Sequence, residues 1–225
     1  MSLQSRITAE FLGTALLVAI VIGSGIMAES LTSDVGVSLL LNLLATVFGL
    51  GVLIVVLMPI SGAHINPVVT CGALIRREIP AREAAGYVVG QMVGGIAGVA
   101  VAHIMFGRAL LEPSANDRLS AGTFVGEIIA TAGLVAIIIL LVHRGSQIVI
   151  PLAVPAWIGA GYVFTSSTSF ANPAVTLGRM FTDSFSGISP ISGLGFIGAQ
   201  IVGMLIAIAI VVPVTTAPKE RTNVR

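Results

Sequence analysis

Charged residues are scarce in this sequence. Of its 225 residues, 9% are Asp, Glu, Lys or Arg, whereas ordinary soluble domains carry roughly a quarter. Hydrophobic residues make up 56%. This composition excludes an ordinary soluble domain and predicts a protein that crosses the membrane several times. The net charge of +1 gives no reason to expect a nucleic acid as a partner.

Cysteine and histidine are also scarce. Cys71 is the only cysteine, so an internal disulfide is excluded, and the three histidines show no zinc-binding spacing. We therefore expect no metal site and no cofactor. The sequence shows no paired nucleophile and base, which argues against an enzyme. Glycine, by contrast, is plentiful at 26 residues and suits close packing of membrane helices. Its predicted contact positions are Gly94, Gly95, Gly98, Gly198 and Gly203.

The apolar runs predict the membrane spans. Segments long enough to cross ~30 Å of hydrocarbon lie at about 8–28, 36–58, 84–105, 122–142, 148–164 and 192–213. An even number of spans places both termini on the same side. That side would carry Arg6, Arg76, Arg77, Arg82, Arg144, Lys219, Arg221 and Arg225, and the opposite side only Arg108, Arg118 and Arg179. Positive residues favour the cytoplasm, so we expect a multi-pass protein of the cell (inner or plasma) membrane with cytoplasmic N- and C-termini.

Two short segments carry the strongest functional signal. Residues 64–70 (HINPVVT) and 170–176 (FANPAVT) each place an Asn-Pro pair before an apolar run too short to span a bilayer. Asn is a good helix N-cap, and Pro fits the first turn because its missing N–H would be unpaired there. Each segment therefore predicts a half-helix that begins inside the membrane. Two such half-helices, one in each half of a chain, indicate a binding or permeation site at the bilayer midplane.

The sequence also contains an internal repeat. Residues 9–15 (AEFLGTA) are echoed at 126–132 (GEIIATA), and 86–91 (GYVVGQ) at 195–200 (GFIGAQ). Each half holds three spans and one half-helix, and an odd number of spans gives the halves opposite topology. We therefore predict one transmembrane domain, 1–225, built from inverted repeats at roughly 1–110 and 118–225. The two half-helices should meet N-terminus to N-terminus.

These motifs resemble those of the aquaporin (major intrinsic protein) family over nearly the whole chain. The resemblance rests on residues 9–14, 61–67 and 170–174. It implies an all-α membrane protein, a right-handed aquaporin-like bundle of six transmembrane helices plus two re-entrant half-helices. It also implies a single channel domain that forms a homotetramer with one pore per subunit. The family's pore motifs fall on Asn66, Pro67, Val68, Asn172, Pro173 and Ala174, and Val68 in place of the usual Ala is a minor change.

The two half-helices predict how the pore treats charge. Each N-terminus acts as about half a positive charge, so two of them facing across the lumen raise a barrier to cations. The side-chain amides of Asn66 and Asn172 can donate to a passing oxygen, which interrupts a proton-conducting file of hydrogen bonds. Carbonyl groups of the extended approaches, 62–64 and 167–170, would offer acceptors in a line.

Glu10 and Glu127 are charged residues inside predicted spans. Such residues mark functional sites by default, which allows a coupling role in an ion-driven transporter. The resemblance implies instead that they support the re-entrant loops by accepting backbone hydrogen bonds. Their equivalent positions in the two repeats favour the supporting role. His64 is expected to be a packed, hydrogen-bonded residue that supports its loop and not a ligand.

The most consequential departure from the family is Val175. The second Asn-Pro box of the family usually continues to an arginine at this position, on the polar side of the narrowest point. A valine is smaller and neutral, so we expect a wider or drier constriction. Arg179 lies one turn further along the half-helix at the outer mouth. It either leans back toward the constriction or extends to the membrane surface.

The remaining constriction positions follow from spacing. Counting without gaps places Thr46, Ala160 and Ser169 at the selectivity filter beside Val175. If a two-residue deletion is assumed, Phe48 takes the place of Thr46. The segment around Ala160 looks shortened, so its alignment is open.

Together, these residues predict a passive channel for small neutral solutes in the glycerol-facilitator-like branch of the family. The filter and residues 165–170 (TSSTSF) resemble bacterial members associated with arsenic resistance. The expected solutes are water, glycerol-like polyols and possible metalloid species, arsenite or methylated arsenicals. The alternatives are a water-selective pore and an ion-coupled transporter that uses Glu10 and Glu127.

Overall fold

The computed structural model describes residues 1–216. Lys219, Arg221 and Arg225, which entered the orientation prediction, lie outside the described residues, as does the end of the second predicted repeat.

The described chain is helical, with no strand in residues 1–216. Its helices are α1 (Leu3–Leu31), α2 (Val35–Ser61), α3 (Pro67–Ile75), α4 (Ala81–Met105), α5 (Ala121–His143), α6 (Ile150–Phe164), α7 (Pro173–Arg179) and α8 (Pro190–Thr216). A 3-10 turn, Gln147–Val149, precedes α6. The predicted all-α class and the order of spans and half-helices are confirmed.

Six of these helices are long and apolar enough to cross a membrane. The fifth span is the shortest, because α6 reaches its length only with the preceding 3-10 turn. Side chains cap the N-termini of several helices. Asp34 accepts the Val37 N–H at the start of α2, and Ser120 accepts the Thr123 N–H at the start of α5. These hydrogen bonds satisfy backbone donors that a helix start leaves unpaired. The chain is a multi-pass membrane protein.

Two tight helix pairs form the frame of the bundle. Helix α1 packs along α4, and α5 packs along α8. Glycines allow the close approach, since a Cβ at Gly94 or Gly98 would collide with a carbonyl oxygen of α1, and one at Gly203 would meet the Ile128 carbonyl. The predicted contact role of Gly198 is wrong, because a Cβ there would face open space.

The two half-helices lie between these pairs. Helix α3 contacts α4, α5 and α8, whereas α7 contacts α1, α4 and α8. A Cβ at Gly95 of α4 would collide with the Ala174 carbonyl, so this glycine lets α7 approach α4 closely. The half-helices also contact each other. They therefore meet inside the bundle, where their N-termini can form one site.

Candidate functional site

A cavity of about 380 Å³ passes between the half-helices. Its walls come from α1, α2, α5 and α6, from both half-helices and from the loops before them. Helices α4 and α8 contribute no lining residue, because they pack behind the half-helices. Arg76 follows α3 and Arg179 closes α7, and both line the cavity. Since α3 and α7 meet at their N-termini, these two arginines mark opposite ends, called here the Arg76 end and the Arg179 end.

The two Asn-Pro boxes meet in the middle of this cavity. Asn66 Nδ2 donates to the Ala171 carbonyl at 2.8 Å, and Asn172 Nδ2 donates to the Ile65 carbonyl at 2.9 Å. Each side chain also caps its own half-helix: Asn66 Oδ1 accepts the Val68 N–H at 3.0 Å, and Asn172 Oδ1 accepts two N–H groups of α7. Each amide has two N–H groups. One N–H of each asparagine therefore remains for a solute in the cavity, to which both side chains are open.

Replacing either asparagine by aspartate should admit cations. Asn66→Asp or Asn172→Asp removes a donor and places a negative charge between the two positive helix ends, so the barrier to cations falls. We expect potassium conductance in planar bilayers to rise at least several-fold in either variant. Asn116→Asp is the matched control, because Asn116 also donates to a carbonyl, that of Ser184, but does not line the cavity.

Unchanged conductance in both aspartate variants, with solute flux preserved, would mean that the paired asparagines do not control cation passage.

Glu10 holds the loop before the first half-helix. Its Oε1 accepts the His64 N–H at 2.9 Å and the Ser61 hydroxyl at 2.6 Å. Its Oε2 accepts the Ile65 N–H at 2.5 Å and Gln91 Nε2 at 2.7 Å. The side chain is fully buried and does not line the cavity. Such a saturated acceptor fits a supporting role.

Glu127 repeats this arrangement before the second half-helix. Its Oε1 accepts the Phe170 N–H at 2.8 Å and the Ser167 hydroxyl at 2.7 Å. Its Oε2 accepts the Ala171 N–H at 2.9 Å and Gln200 Nε2 at 2.6 Å. The two carboxylates therefore make corresponding contacts in the two halves of the chain.

The loops that these glutamates hold are not simply extended, as the sequence had suggested. Ala63, Ile65, Ser169 and Ala171 have φ angles of 49°, 38°, 52° and 48°. Non-glycine residues adopt this left-handed conformation at a cost of about 1–3 kcal/mol each. The N–H groups of Ile65 and Ala171 donate to the two glutamates. We infer that these hydrogen bonds hold the strained backbone in place. The carbonyl groups of neighbouring loop residues can then point in different directions and contact different partners.

His64 supports the first loop and also borders the cavity. Its Nδ1 lies 3.1 Å from Thr70 Oγ1, and its ring packs edge-on against Tyr87 with centroids 5.4 Å apart. The ring is partly exposed to the cavity toward the Arg76 end.

Three of the four predicted filter residues lie in the wall of the cavity. Thr46, Ser169 and Val175 all line the cavity and are buried. Tyr162 joins them: its hydroxyl donates to Thr46 Oγ1 at 3.2 Å. None of these four side chains carries a charge, and Ser169 Oγ has no hydrogen-bond partner in residues 1–216.

The prediction for Ala160 is wrong. Ala160 is exposed on the outside of α6 and does not line the cavity. The lining residues of this helix are Ile150, Val154, Ile158 and Tyr162, which recur every four residues and so share one face. Ala160 is two residues from Ile158 and therefore about 200° around the helix. Tyr162 is the α6 residue that lines the cavity in contact with Thr46.

The alternative with Phe48 is wrong for the same reason. Its side chain is 70% exposed, whereas Thr46 and Leu50 line the cavity on either side of it. Phe164 is another aromatic residue, close in sequence to Ser169. Its side chain is 54% exposed and does not line the cavity.

Arg179 is buried rather than extended to the membrane surface. It is 3% exposed, lines the cavity together with Val175, and donates from Nε to the Ser186 carbonyl. Its guanidinium carbon lies 3.4 Å from the centroid of the Phe170 ring. Of the two placements that the sequence left open, the structure has the inward one.

Sequence reasoning missed some residues of this site. Tyr162 could have been found from the four-residue spacing of Val154, Ile158 and Tyr162. The hydroxyls of Ser61 and Ser167 had no signal beyond their matching places before the two boxes. Most of the apolar wall was also missed, because residues such as Leu50 and Leu134 are indistinguishable in sequence from lipid-facing ones.

Six spans around two facing, asparagine-capped half-helices define a membrane channel. The family model for the major intrinsic protein matches residues 1–169, and the chain belongs to this family. It is therefore a channel for water and small solutes and not an enzyme, as the sequence predicted.

The chain is similar to several named relatives. It is 45% identical over 210 residues to the aquaglyceroporin AqpS of Rhizobium meliloti (strain 1021). The aligned region covers 92% of this chain and 89% of the relative. It is 34% identical over 186 residues to a probable TIP-type aquaporin of Medicago truncatula, over 76% of this chain and 72% of the relative. The X-ray structure of the aquaglyceroporin from Plasmodium falciparum matches with a TM-score of 0.73 at 23% identity, over 95% of this chain and 99% of that one. This structural match supports the fold alone.

Proposed function

We propose that the protein is a passive channel for small neutral solutes that include glycerol-like polyols and arsenite. The observation that carries the proposal is the neutral set of four side chains, Thr46, Tyr162, Ser169 and Val175, in the cavity wall, where Tyr162 and Thr46 are hydrogen-bonded to each other. A small polyol needs hydroxyl partners on one side and an apolar surface on the other. Thr46, Tyr162 and Ser169 offer hydroxyls, and Val175 offers the apolar surface.

Arsenite fits the same requirements. Near neutral pH it is mostly the uncharged As(OH)₃, which presents three hydroxyl groups and has the size of a small polyol. Methylated arsenicals would add an apolar edge that can lie against Val175. The similarity to an aquaglyceroporin over 92% of the chain supports a solute range wider than water.

An ion-coupled transporter is not favoured by this geometry. Glu10 and Glu127 each accept four hydrogen bonds and lie outside the cavity wall. A coupling site must be open to the ion that it binds. A water-selective pore remains the competing function, in which Tyr162 would narrow the filter too far for a polyol.

We also propose the repeat organisation, membrane orientation and oligomeric state of the protein. The corresponding contacts of Glu10 and Glu127 support inverted repeats within one domain. Arg76, Arg77, Arg82 and Arg144 support a cytoplasmic Arg76 end, with the termini on that side, under the positive-inside rule. By family resemblance, the channel assembles as a homotetramer in the cell membrane, with one pore in each subunit.

Flux measurements in proteoliposomes test the function. We expect stopped-flow swelling to show uptake of water, glycerol and arsenite, each following its own gradient and unaffected by a proton or sodium gradient. Urea serves as a neutral comparison solute. Passage of water with exclusion of glycerol and arsenite would establish the water-selective alternative.

A further inference from the structure

The Arg179 end of the cavity contains a positive charge that no carboxylate in the cavity wall neutralises. Glu78 is the only acidic residue that lines the cavity in the described chain. It lies at the Arg76 end, where Arg76 Nε and Nη2 donate to its two carboxylate oxygens at 2.9 and 2.5 Å. Arg179 has no such partner. Its field therefore acts on whatever enters the cavity from that end.

Protein contacts hold the guanidinium of Arg179 in place without using all of its hydrogen-bond donors. Nε donates to the Ser186 carbonyl, and the guanidinium carbon lies over the Phe170 ring. The two terminal nitrogens have no protein partner in residues 1–216. A cation fixed by one hydrogen bond and an aromatic ring, with free donors beside the lumen, has the properties of a selectivity residue.

We propose that Arg179 supplies the selectivity cation of the channel from one helical turn beyond Val175. The half-helix thus separates two properties that an arginine at position 175 would combine. Val175 leaves room for a polyol-sized solute, while Arg179 retains the positive charge and the hydrogen-bond donors. The inference rests on the proposed function and adds the chemistry of the solute. The channel should favour solutes rich in hydroxyl or oxo groups and should exclude protonated amines and alkali cations.

Arg118 offers a matched control. Its guanidinium also faces the Phe170 ring, at 5.9 Å from the centroid, and it donates to the carbonyls of Gly187 and Phe185. It does not line the cavity. Replacing it loosens the same loop without removing a charge from the cavity wall.

The test compares cation leakage between variants in proteoliposomes. Arg179→Met should raise methylammonium permeability and potassium conductance by roughly tenfold, because a positive charge in the cavity wall is removed. Arg179→Gln should act likewise and can still donate to Ser186. Arg179→Lys and Arg118→Met should exclude both cations as the wild type does. The double variant Val175→Arg/Arg179→Met moves the charge one turn along α7 and should restore exclusion while losing glycerol flux.

Water flux in each variant shows that the channel is folded. The inference is overturned if Arg179→Gln conducts water normally and still excludes methylammonium and potassium. It is also overturned if Arg118→Met leaks as much as Arg179→Gln, because loosening of the loop would then explain both. A wild type that passes water but neither glycerol nor arsenite would refute the proposed function, and cation leakage in Arg179→Gln would still support the role of Arg179.

Discussion

Val175→Arg should reduce the passage of glycerol and arsenite at least tenfold while most water flux survives. The guanidinium is bulkier than a valine side chain and always charged, and Val175 lies in the cavity wall. A polyol would have to fit a narrower opening, whereas water needs little room and gains a donor. We expect stopped-flow assays to show at least a tenfold loss of glycerol and arsenite permeability, which corresponds to a barrier about 1.4 kcal/mol higher.

Val175→Met separates size from charge in this experiment. Methionine adds length without a charge or a donor. If size alone excludes polyols, the methionine variant should lose glycerol flux as fully as the arginine variant does. If Val175→Arg leaves the solute profile of the wild type unchanged, position 175 does not determine selectivity, and Thr46 and Tyr162 become the residues to test.

The long helices and the starts of the two half-helices could be predicted because their signals are local. An Asn-Pro pair before a short apolar run specifies both a cap and a first turn. Asn66 and Asn172 therefore begin helices where the sequence indicated. The supporting roles of Glu10 and Glu127 were implied by the family resemblance and favoured by the equivalent positions of the two residues in the repeats.

The candidate filter could be predicted only in part because its residues come from different elements. Ser169 and Val175 belong to the segment of the second box, and counting from Asn172 leads to two residues that line the cavity. Ala160 was misplaced because the count of residues runs through the loop into α6. A count through a non-helical loop does not preserve which face of the helix a residue lies on. A shift of two residues turns a side chain to the opposite face of a helix, and this shift separates Ala160 from Tyr162.

The left-handed backbone could not be predicted at all. Such φ angles usually favour glycine, yet Ala63, Ile65, Ser169 and Ala171 adopt them. Their conformation depends on distant acceptors: Glu10 is 55 residues from Ile65, and Glu127 is 44 residues from Ala171. Local propensity carries no information about these contacts. The orientation of Arg179 was open for a similar reason, since the Ser186 carbonyl and the Phe170 ring that hold it lie outside its helix.

Replacing Glu10 or Glu127 by glutamine should remove most of the folded channel. A glutamine side chain has one acceptor oxygen and one donor nitrogen, so its nitrogen would face N–H or hydroxyl groups that now donate to a carboxylate oxygen. Each hydrogen bond to a charged group that is lost costs about 1.5–3 kcal/mol, and the strained loops would lose their support. We expect a strong fall in the yield of folded protein, measured by size-exclusion chromatography in detergent.

Glu29→Gln is the control for this pair of variants, because Glu29 is exposed at the end of α1 and should tolerate the change. The fraction of Glu10→Gln that does fold is the informative sample. If the glutamates are structural, its flux should remain downhill and insensitive to an imposed proton or sodium gradient. Uphill accumulation of solute by the wild type under such a gradient, lost in Glu10→Gln, would contradict the channel mechanism and support coupling. The saturation of both carboxylates by loop and helix donors is the physical reason to expect the first result.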